Sequence, residues 1–431
     1  MPAPDTDRVV LVVAPGDAVF RRDCLEQVSA AYRTVVITPG PVTWEKHLVV
    51  DHAIADPADE AALFKAADAL ARRHRVIGVL TWNEWHLVPT ARLAAHLGLP
   101  GNTPEAMRTC RNKALARAAF ARHQVPSAAA VAVTTVREAQ RAARAIGYPV
   151  VLKPAAQAAS SGVIRATSEQ HLADAYAFAA AATGRHARDD GTVLVEEYLD
   201  GDEVSVECVT HRGRTQAVAV TRKSLGPAPY FEEIGHLVDA ADPLLAQVAP
   251  VAEAAVQALG ITTGVQHVEL RLTPTGPRLI EVNGRIGGDL ISRLVREATG
   301  LDLPRIAADL ALGKTPDLTA TRRACAAVHL LYPSVSGTVI ARHISVGYAE
   351  HTPWLKQVEW LRDIGDDVLL PPDGDMFTAR AGYLLITART AAQARARMDE
   401  ALDQITLTVS PARPMATPAL TGPSRCGDGT A

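Results

Sequence analysis

The residues best placed to do chemistry lie in one stretch, GVQHVELRLTPTGPRLIEVNGR, from Gly264 to Arg285. Two alternating runs flank Thr273-Pro274-Thr275-Gly276-Pro277. Period-two alternation on both sides of a Pro/Gly turn is the pattern of a β-hairpin. A hairpin symmetric about Thr275 sets Glu269 opposite Glu281 and His267 opposite Asn283. Its odd-numbered face collects His267, Glu269, Arg271, Glu281, Asn283 and Arg285. Its even-numbered face, Val268, Leu270, Leu272, Ile280 and Val282, is apolar and belongs in a core. Like charges directly opposite on a sheet are destabilising. At about 5 Å and an effective dielectric near 20, the repulsion is roughly 3 kcal/mol. A hard divalent cation would offset it, since Mg²⁺ typically takes one or two carboxylates plus substrate phosphates. A solvated face with Arg271 and Arg285 as counter-ions would offset it too. Both readings stay open on this stretch alone.

Other segments carry phosphate chemistry. In PVVLKPAAQAASSGVIRA an apolar run ends at Lys153, and Pro154 blocks a helix. The small residues Ala155 to Gly162, with Ser160 and Ser161 among them, let backbone N–H groups approach an anion closely. A lysine at the strand end adds a point charge suited to phosphate. Gly287-Gly288 is expected to open a helix running to about Thr299, which would aim free N–H groups at an anion beside Arg285. Thr81-Trp82-Asn83-Glu84 follows a strand, where open α/β sheets place ligands. The simpler reading there is a helix start with Glu84 complementing the dipole. Pro227 to His236, with Tyr230, Phe231, Glu232 and Glu233, reads as a loop that covers a pocket or turns on the surface.

The elements that must hold these residues begin with strands at 8–14, 33–38 and 76–80 and helices at 18–31 and 58–73. This βαβ alternation argues a parallel sheet with helices on its faces. No GxGxxG follows the first strand, so dinucleotide binding is not read here. Helices are expected at 85–97 and 104–123, a strand at 129–133, and a helix at 136–146. A helix at 168–182, strands at 192–195 and 203–207, and a helix at 243–259 lead to the hairpin. Residues 324–408 read as a small α+β module, with strands near 324–332 and 380–388 and a helix at 390–403. The tail from Ser410 is rich in Pro, Gly, Ser, Thr and Ala and is expected to be disordered.

A chain of 431 residues has ample length for several domains. A formal net charge of -3 gives no electrostatic case for nucleic acid or an anionic membrane. No apolar run approaches a membrane span, and the N-terminus lacks the pattern of a secretory signal. The five cysteines form neither a zinc spacing nor a disulfide framework, which suits a reducing cytoplasm.

Taken in order, RNK with Lys113, VLKP with Lys153, the small-residue loop, EEYLDGDEVSVE and HVELRLTPTGPRLIEVNGRIGGD resemble the ATP-grasp carboxylate–amine ligases. The branch most similar joins unprotected amino acids into dipeptides. The resemblance runs over about residues 8–405. It implies an α/β and α+β multidomain fold: an N-terminal Rossmann-like domain at 1–105, a small lid subdomain at 106–190, a large subdomain with the metal site at 191–320, a C-terminal α+β module at 321–408 that completes the grasp domain, and a tail at 409–431. It implies ATP and two Mg²⁺ ions, with Mn²⁺ able to substitute. Lys113 and Lys153 would hold phosphates, with Ser160 and Ser161 in the closing loop. The main chain along Glu196, Glu197, Tyr198 and Leu199 would read adenine, and Glu203 the ribose. Glu269, Glu281 and Asn283 would carry the metal. Arg285 would stabilise the transferred phosphoryl group or a substrate carboxylate, near Gly287 and Gly288. Glu233 would meet a substrate amino group and His236 the reacting carboxylate. Partners would be small-molecule carboxylate and amine substrates, with the protein a cytoplasmic monomer or homodimer. Trp82, Tyr230 and Tyr332 are candidates for setting pocket size. The rival expectations are another ATP-grasp ligase or carboxylase, and a non-catalytic ATP-binding module.

Overall fold

A computed structural model describes residues 7–183 and 191–411. The N-terminal sheet is parallel, in the order β3-β2-β1-β4, with β1 at Arg8–Val13, β2 at Thr34–Thr38, β3 at Asp51–Ile54 and β4 at Arg75–Leu80. Val9 to Val13 are fully buried, because helices cover both faces of such a sheet. Past β1 the backbone turns through Ala14 (φ 49°) and Gly16 (φ 92°). The Asp17 carboxylate then caps α1 (Ala18–Ala31) by accepting from the Phe20 amide at 2.8 Å. Trp82, just past β4, ties this turn down by donating its indole N–H to the Pro15 carbonyl at 2.6 Å. Helices α2 (Glu60–Ala71) and α3 (Leu87–His96) complete this layer.

The helix expected at 104–123 is two helices, α4 (Pro104–Arg111) and α5 (Lys113–Arg122). Asn112 leaves helical geometry, and its carboxamide oxygen accepts from the Ala114 and Leu115 amides at 3.0 and 3.1 Å. Asn caps a helix well because its short side chain reaches the first free N–H groups. The break makes Lys113 the first residue of α5 and buries it.

An antiparallel sheet follows in the order β5-β8-β6-β7, from β5 (Ala130–Val133), β6 (Val150–Pro154), β7 (Ile164–Ala166) and β8 (Val193–Glu197). β8 belongs here although it lies past residue 190, since it pairs with both β5 and β6. Helices α6 (Val136–Ile146) and α7 (Glu169–Ala182) pack on it.

The largest sheet has eight strands. In chain order they are β9 (Asp202–His211), β10 (Arg214–Leu225), β11 (Glu233–Asp239), β12 (Gly264–Thr273), β13 (Gly276–Asn283), β14 (Cys325–Leu331), β16 (Leu355–Trp360) and β18 (Gly382–Ala388). Their spatial order is β13-β12-β9-β10-β11-β14-β18-β16. β14 and β18, from the C-terminal module expected to complete the grasp domain, are interior members of this sheet. Helices α8 (Leu245–Ala258), α9 (Ile291–Thr299) and α10 (Leu303–Ala311) pack against it. One apolar cluster runs from Val10 and Val12 through Leu294 and Leu310 to Ala326 and Tyr383, so the N-terminal layer shares a core with the large sheet. A small sheet of β15 (Gly337–Ile344), β17 (Asp367–Val368) and β19 (Ile405–Pro411) ends the described chain. Residues 409–411, expected in the tail, thus pair in a strand, and the rest of the tail lies outside the described residues. No helix among the described residues is long and apolar enough to cross a membrane.

Pairing in the hairpin follows symmetry about Thr275 only on its site-proximal half. Glu269 faces Glu281 and His267 faces Asn283, but the register shifts at Glu269/Leu270, so Leu270 faces Leu279 and Thr273 faces Gly276. The extra residue is Ile280, expected in the core. The bulge turns it toward the cavity and leaves Leu279 fully buried in its place.

Candidate active site

A cavity of about 340 Å³ opens between the N-terminal layer, the β5–β8 sheet and the large sheet. Its floor is the paired face of β12 and β13. Glu281 lies 3.1 Å from Lys113 Nζ. Glu269 lies 3.1 Å from Lys223 Nζ and 3.2 Å from His267 Nε2. The facing carboxylates thus each meet a cation. His267 is itself held by Glu207, Nδ1 to Oε1 at 2.7 Å. Burial works against its charge, but the Glu207 carboxylate wins and pushes it up to about 9. His267, for which the sequence suggested no role, is therefore a protonated bridge between a buried acid and a floor carboxylate. Asn283 completes the floor and accepts from Arg285 Nη2 at 3.4 Å.

The phosphate-side lysines are buried and individually anchored. Lys113 Nζ donates to the Gln157 carbonyl at 2.6 Å, and its amide donates to the Ala155 carbonyl at 2.9 Å. The start of α5 is thereby stitched to the small-residue loop, where Ala159 and Ser160 take left-handed backbone (φ 57° and 53°) and Ser160 and Ser161 line the cavity. Lys153 Nζ lies 2.7 Å from Glu196, which also takes a two-point bond from Arg117 at 2.8 and 3.0 Å. Burial alone would raise the Glu196 carboxyl, but the charges of Arg117 and Lys153 outweigh it and hold the group at about 2.

That triad gives a stability prediction. Because the folded Glu196 sits below its ordinary 4.5, its contribution is complete above that value and is lost as pH falls toward about 2. Glu196→Gln leaves Arg117 and Lys153 buried together without an acid. It should cost about 3 kcal/mol in urea unfolding at neutral pH, with a raised KM for ATP. A loss below about 1 kcal/mol, the size of an exposed pair, would show that the triad does not hold this corner.

Neither carboxylate of the Glu196-Glu197 pair is free, since Glu197 accepts from Arg278 at 2.6 and 2.7 Å. What this segment offers a ligand is main chain and the apolar Leu199, with Tyr198 beneath Arg165 at 5.0 Å. Glu203 lines the cavity and pairs with Arg271 at 3.0 Å. Gly201 makes that pairing reachable. A Cβ there would lie 2.1 Å from the Leu272 carbonyl, so only glycine lets its own carbonyl accept from Arg271 at 2.8 Å.

The opposite end is dense with acids. Glu233 and His236 were expected in a loop, but both lie in β11, and His236 is buried. His236 Nε2 is 3.1 Å from Glu233 and 3.5 Å from Asp289. Burial disfavours its charge, yet the bonds to Asp289 and Glu233 leave its pKa raised. Lys223 Nζ lies 2.8 Å from Glu233 and 3.6 Å from Glu203 as well as beside Glu269. Asp289 takes a two-point bond from Arg380 at 2.7 and 2.8 Å. The helix expected from Gly287-Gly288 begins instead at Ile291, after Asp289 and Leu290 in left-handed backbone (φ 45° and 65°). A carboxylate therefore stands where free N–H groups were expected. Gly288 lines the cavity, and Gly287 lies behind it against His267.

Sequence reasoning missed Lys223, Asp289 and Arg380. A lysine on a strand, in a chain that otherwise favours arginine, was the available signal for Lys223. Arg380 carried none, because it reaches the site from just before β18, far down the chain. Glu84, read as a simple helix start, is buried and lies 2.8 Å from Arg285 Nε, so it aims that guanidinium. Of the three size-setting candidates, Trp82 lines the cavity. Tyr230 packs on Phe178 at 5.6 Å, and Tyr332 stands behind Arg380, accepting from its Nε at 2.8 Å.

A family profile described as an ATP-grasp domain matches residues 146–293, the span from β6 through the hairpin. The fold agrees: the L-amino acid ligase from Bacillus licheniformis superposes with a TM-score of 0.78 over 94% of this chain and 99% of that one, at 21% identity. Within residues 146–293 the chain carries an ATP-grasp domain. The chain is also 29% identical over 283 residues to human carnosine synthase 1, covering 62% of the chain and 34% of that protein. It is 27% identical over 302 residues to the alanine–anticapsin ligase of Bacillus amyloliquefaciens, covering 65% of the chain and 62% of the ligase. ATP-grasp proteins generally use ATP with Mg²⁺, and the relatives include an L-arginine-specific L-amino acid ligase from Bacillus subtilis.

Proposed function

We propose that the protein is an ATP-dependent carboxylate–amine ligase that joins two amino acids, with release of ADP and phosphate. The observation that carries this reading is the in-register pair Glu269 and Glu281, with Asn283 on the same face, flooring a cavity that also holds Lys113, Lys153, Arg285, Glu233 and Asp289. Mg²⁺ fits this floor: two carboxylates and a carboxamide are hard oxygen donors on one face. Glu269, Glu281 and Asn283 would hold two such ions, with Mn²⁺ able to replace them. Bound there, the metal supplies charge neutralisation to the phosphates.

The chain's own residues do the remainder. Lys113 and Lys153 hold phosphate oxygens, main chain along Glu196 to Leu199 reads adenine, and Glu203 meets the ribose. A substrate carboxylate oxygen attacks the γ-phosphorus, the bond to ADP breaks, and an acyl phosphate forms. Arg285, aimed by Glu84, faces the charge that develops on the transferring group. The amine nitrogen of the second substrate then attacks the acyl carbon, and phosphate departs. Glu233, held ionised at about 2 by the Lys223 charge against the upward pull of burial, suits an ammonium group. His236 keeps its proton and acts as a donor near the acyl oxygen, so the amine's proton leaves with phosphate. The loop from Ala155 to Gly162 excludes water from the acyl phosphate.

Release of ADP, followed while pairs of amino acids are varied, tests the proposal. Activity with a defined pair supports it. ATP binding without ADP release from any pair would remove the ligase reading in favour of a non-catalytic ATP-binding module.

A further inference from the structure

Nearly every cation lining the cavity is matched to an acid. Lys113 has Glu281 at 3.1 Å, Lys153 and Arg117 share Glu196 at 2.7 and 2.8 Å, and Arg271 has Glu203 at 3.0 Å. Arg285 has Glu84 at 2.8 Å and Arg380 has Asp289 at 2.7 Å. Arg21, on α1, also lines the cavity, and among the described residues no carboxylate makes an ion pair with it. Its Nη1 donates to the neutral carbonyl of Gly287 at 3.0 Å. The nearest acid in sequence, Asp17, is occupied in capping α1 through the Phe20 amide at 2.8 Å. Burial and the like charge of Arg285 lower the pKa of Arg21, and the opposing pulls of Cys24 and Asp17 do not reverse that. A half-buried cation with no ion-pair partner is costly, and an anionic ligand removes that cost.

The guanidinium is also held in place. Gly16, at φ 92°, lies under the side chain, and a Cβ there would come 3.1 Å from Arg21 Cγ. The Trp82 indole fixes the same turn through Pro15. The N-terminal layer therefore presents to the cavity a preset donor fork with no ion-pair partner among the described residues.

On the ligase reading, the amine-donating amino acid brings a second carboxylate that is not activated. That group needs a cation separate from those holding phosphate. We propose that Arg21 binds the α-carboxylate of the amine-donating amino acid, so that the N-terminal domain selects free amino acids over simple amines and amides as the second substrate. A guanidinium fork matches a carboxylate at two points.

The test supplies each proteinogenic amino acid, and in parallel its primary amide, as the nucleophile while ADP release is followed. The wild-type protein should prefer the acid to the amide. Arg21→Ala should raise KM for the nucleophilic amino acid about 10- to 100-fold, the range for losing a charge-assisted hydrogen bond, with KM for ATP and for the activated acid unchanged. It should also erase the preference for acid over amide, and Arg21→Lys should restore part of it. A preference that survives in Arg21→Ala overturns the proposal. So does an equal fall in kcat with acid and amide, which would place Arg21 on the phosphoryl group. Thermal unfolding checks that both variants fold. Absence of ADP from any pair with the wild-type protein would instead count against the ligase reading itself.

Discussion

Glu281→Gln is expected to lower kcat for ADP release by about 10³-fold or more, since a metal's Lewis-acid contribution is several kcal/mol and each 1.36 kcal/mol is tenfold. The stability of the variant should stay within about 1 kcal/mol of the wild type, because two changes oppose each other. Lys113 loses its carboxylate at 3.1 Å, while Glu269 loses a like charge directly across the strand pair. Steady-state kinetics across a Mg²⁺ titration, with a urea melt of the same preparation, separates the effects. Wild-type kcat at any Mg²⁺ concentration would remove Glu281 from the metal assignment. A collapse of stability alongside the lost activity would mean instead that the residue is structural.

Lys223→Met should be the most destabilising single change near the site, at about 3–5 kcal/mol. The ammonium is buried and faces Glu233 at 2.8 Å, Glu269 at 3.1 Å and Glu203 at 3.6 Å. One lysine does not satisfy all three equally. Burial raises every one of these carboxyls, but the Lys223 charge reverses that at Glu233 and Glu269 and fails to at Glu203, whose pKa stays raised. Methionine keeps the bulk and removes the charge, leaving three buried acids with less compensation. Their folded pKa values should then rise above the unfolded ones, so the deficit should shrink as pH falls from neutral. Urea unfolding at several pH values measures this. A deficit below about 1 kcal/mol, or one that does not change with pH, would show that Lys223 does not organise the cluster. Lys223→Arg, which keeps charge but not compactness, should fall between the two.

These outcomes depend on charges brought together from distant parts of the chain, and that sets how much could be read beforehand. Period-two alternation placed Glu269, Glu281 and Asn283 on one face, and the structure pairs the first two in register. The bulge that moves Ile280 from core to cavity left one local trace, the adjacent apolar pair Leu279-Ile280 that interrupts strict alternation, and the symmetric reading passed over it. At Asn112 an amphipathic pattern runs across a break made by one capping side chain. His236 was misplaced in a loop. β11 lies between β10 and β14, and its pairing with them carries the strand back over Glu233 to His236.

By itself the sequence determined the ATP-grasp order of motifs, the carboxylate pair on the hairpin and the lysines at 113 and 153. Each is a local pattern set by backbone periodicity or by short spacing along the chain. Only the tertiary structure decided which charge answers which. It set Lys223 among three acids, Arg380 on Asp289, Glu84 behind Arg285, and Arg21 at the cavity wall without an acid of its own. Ion pairing depends on distance in space and on burial, and neither is encoded in the spacing of residues along the chain.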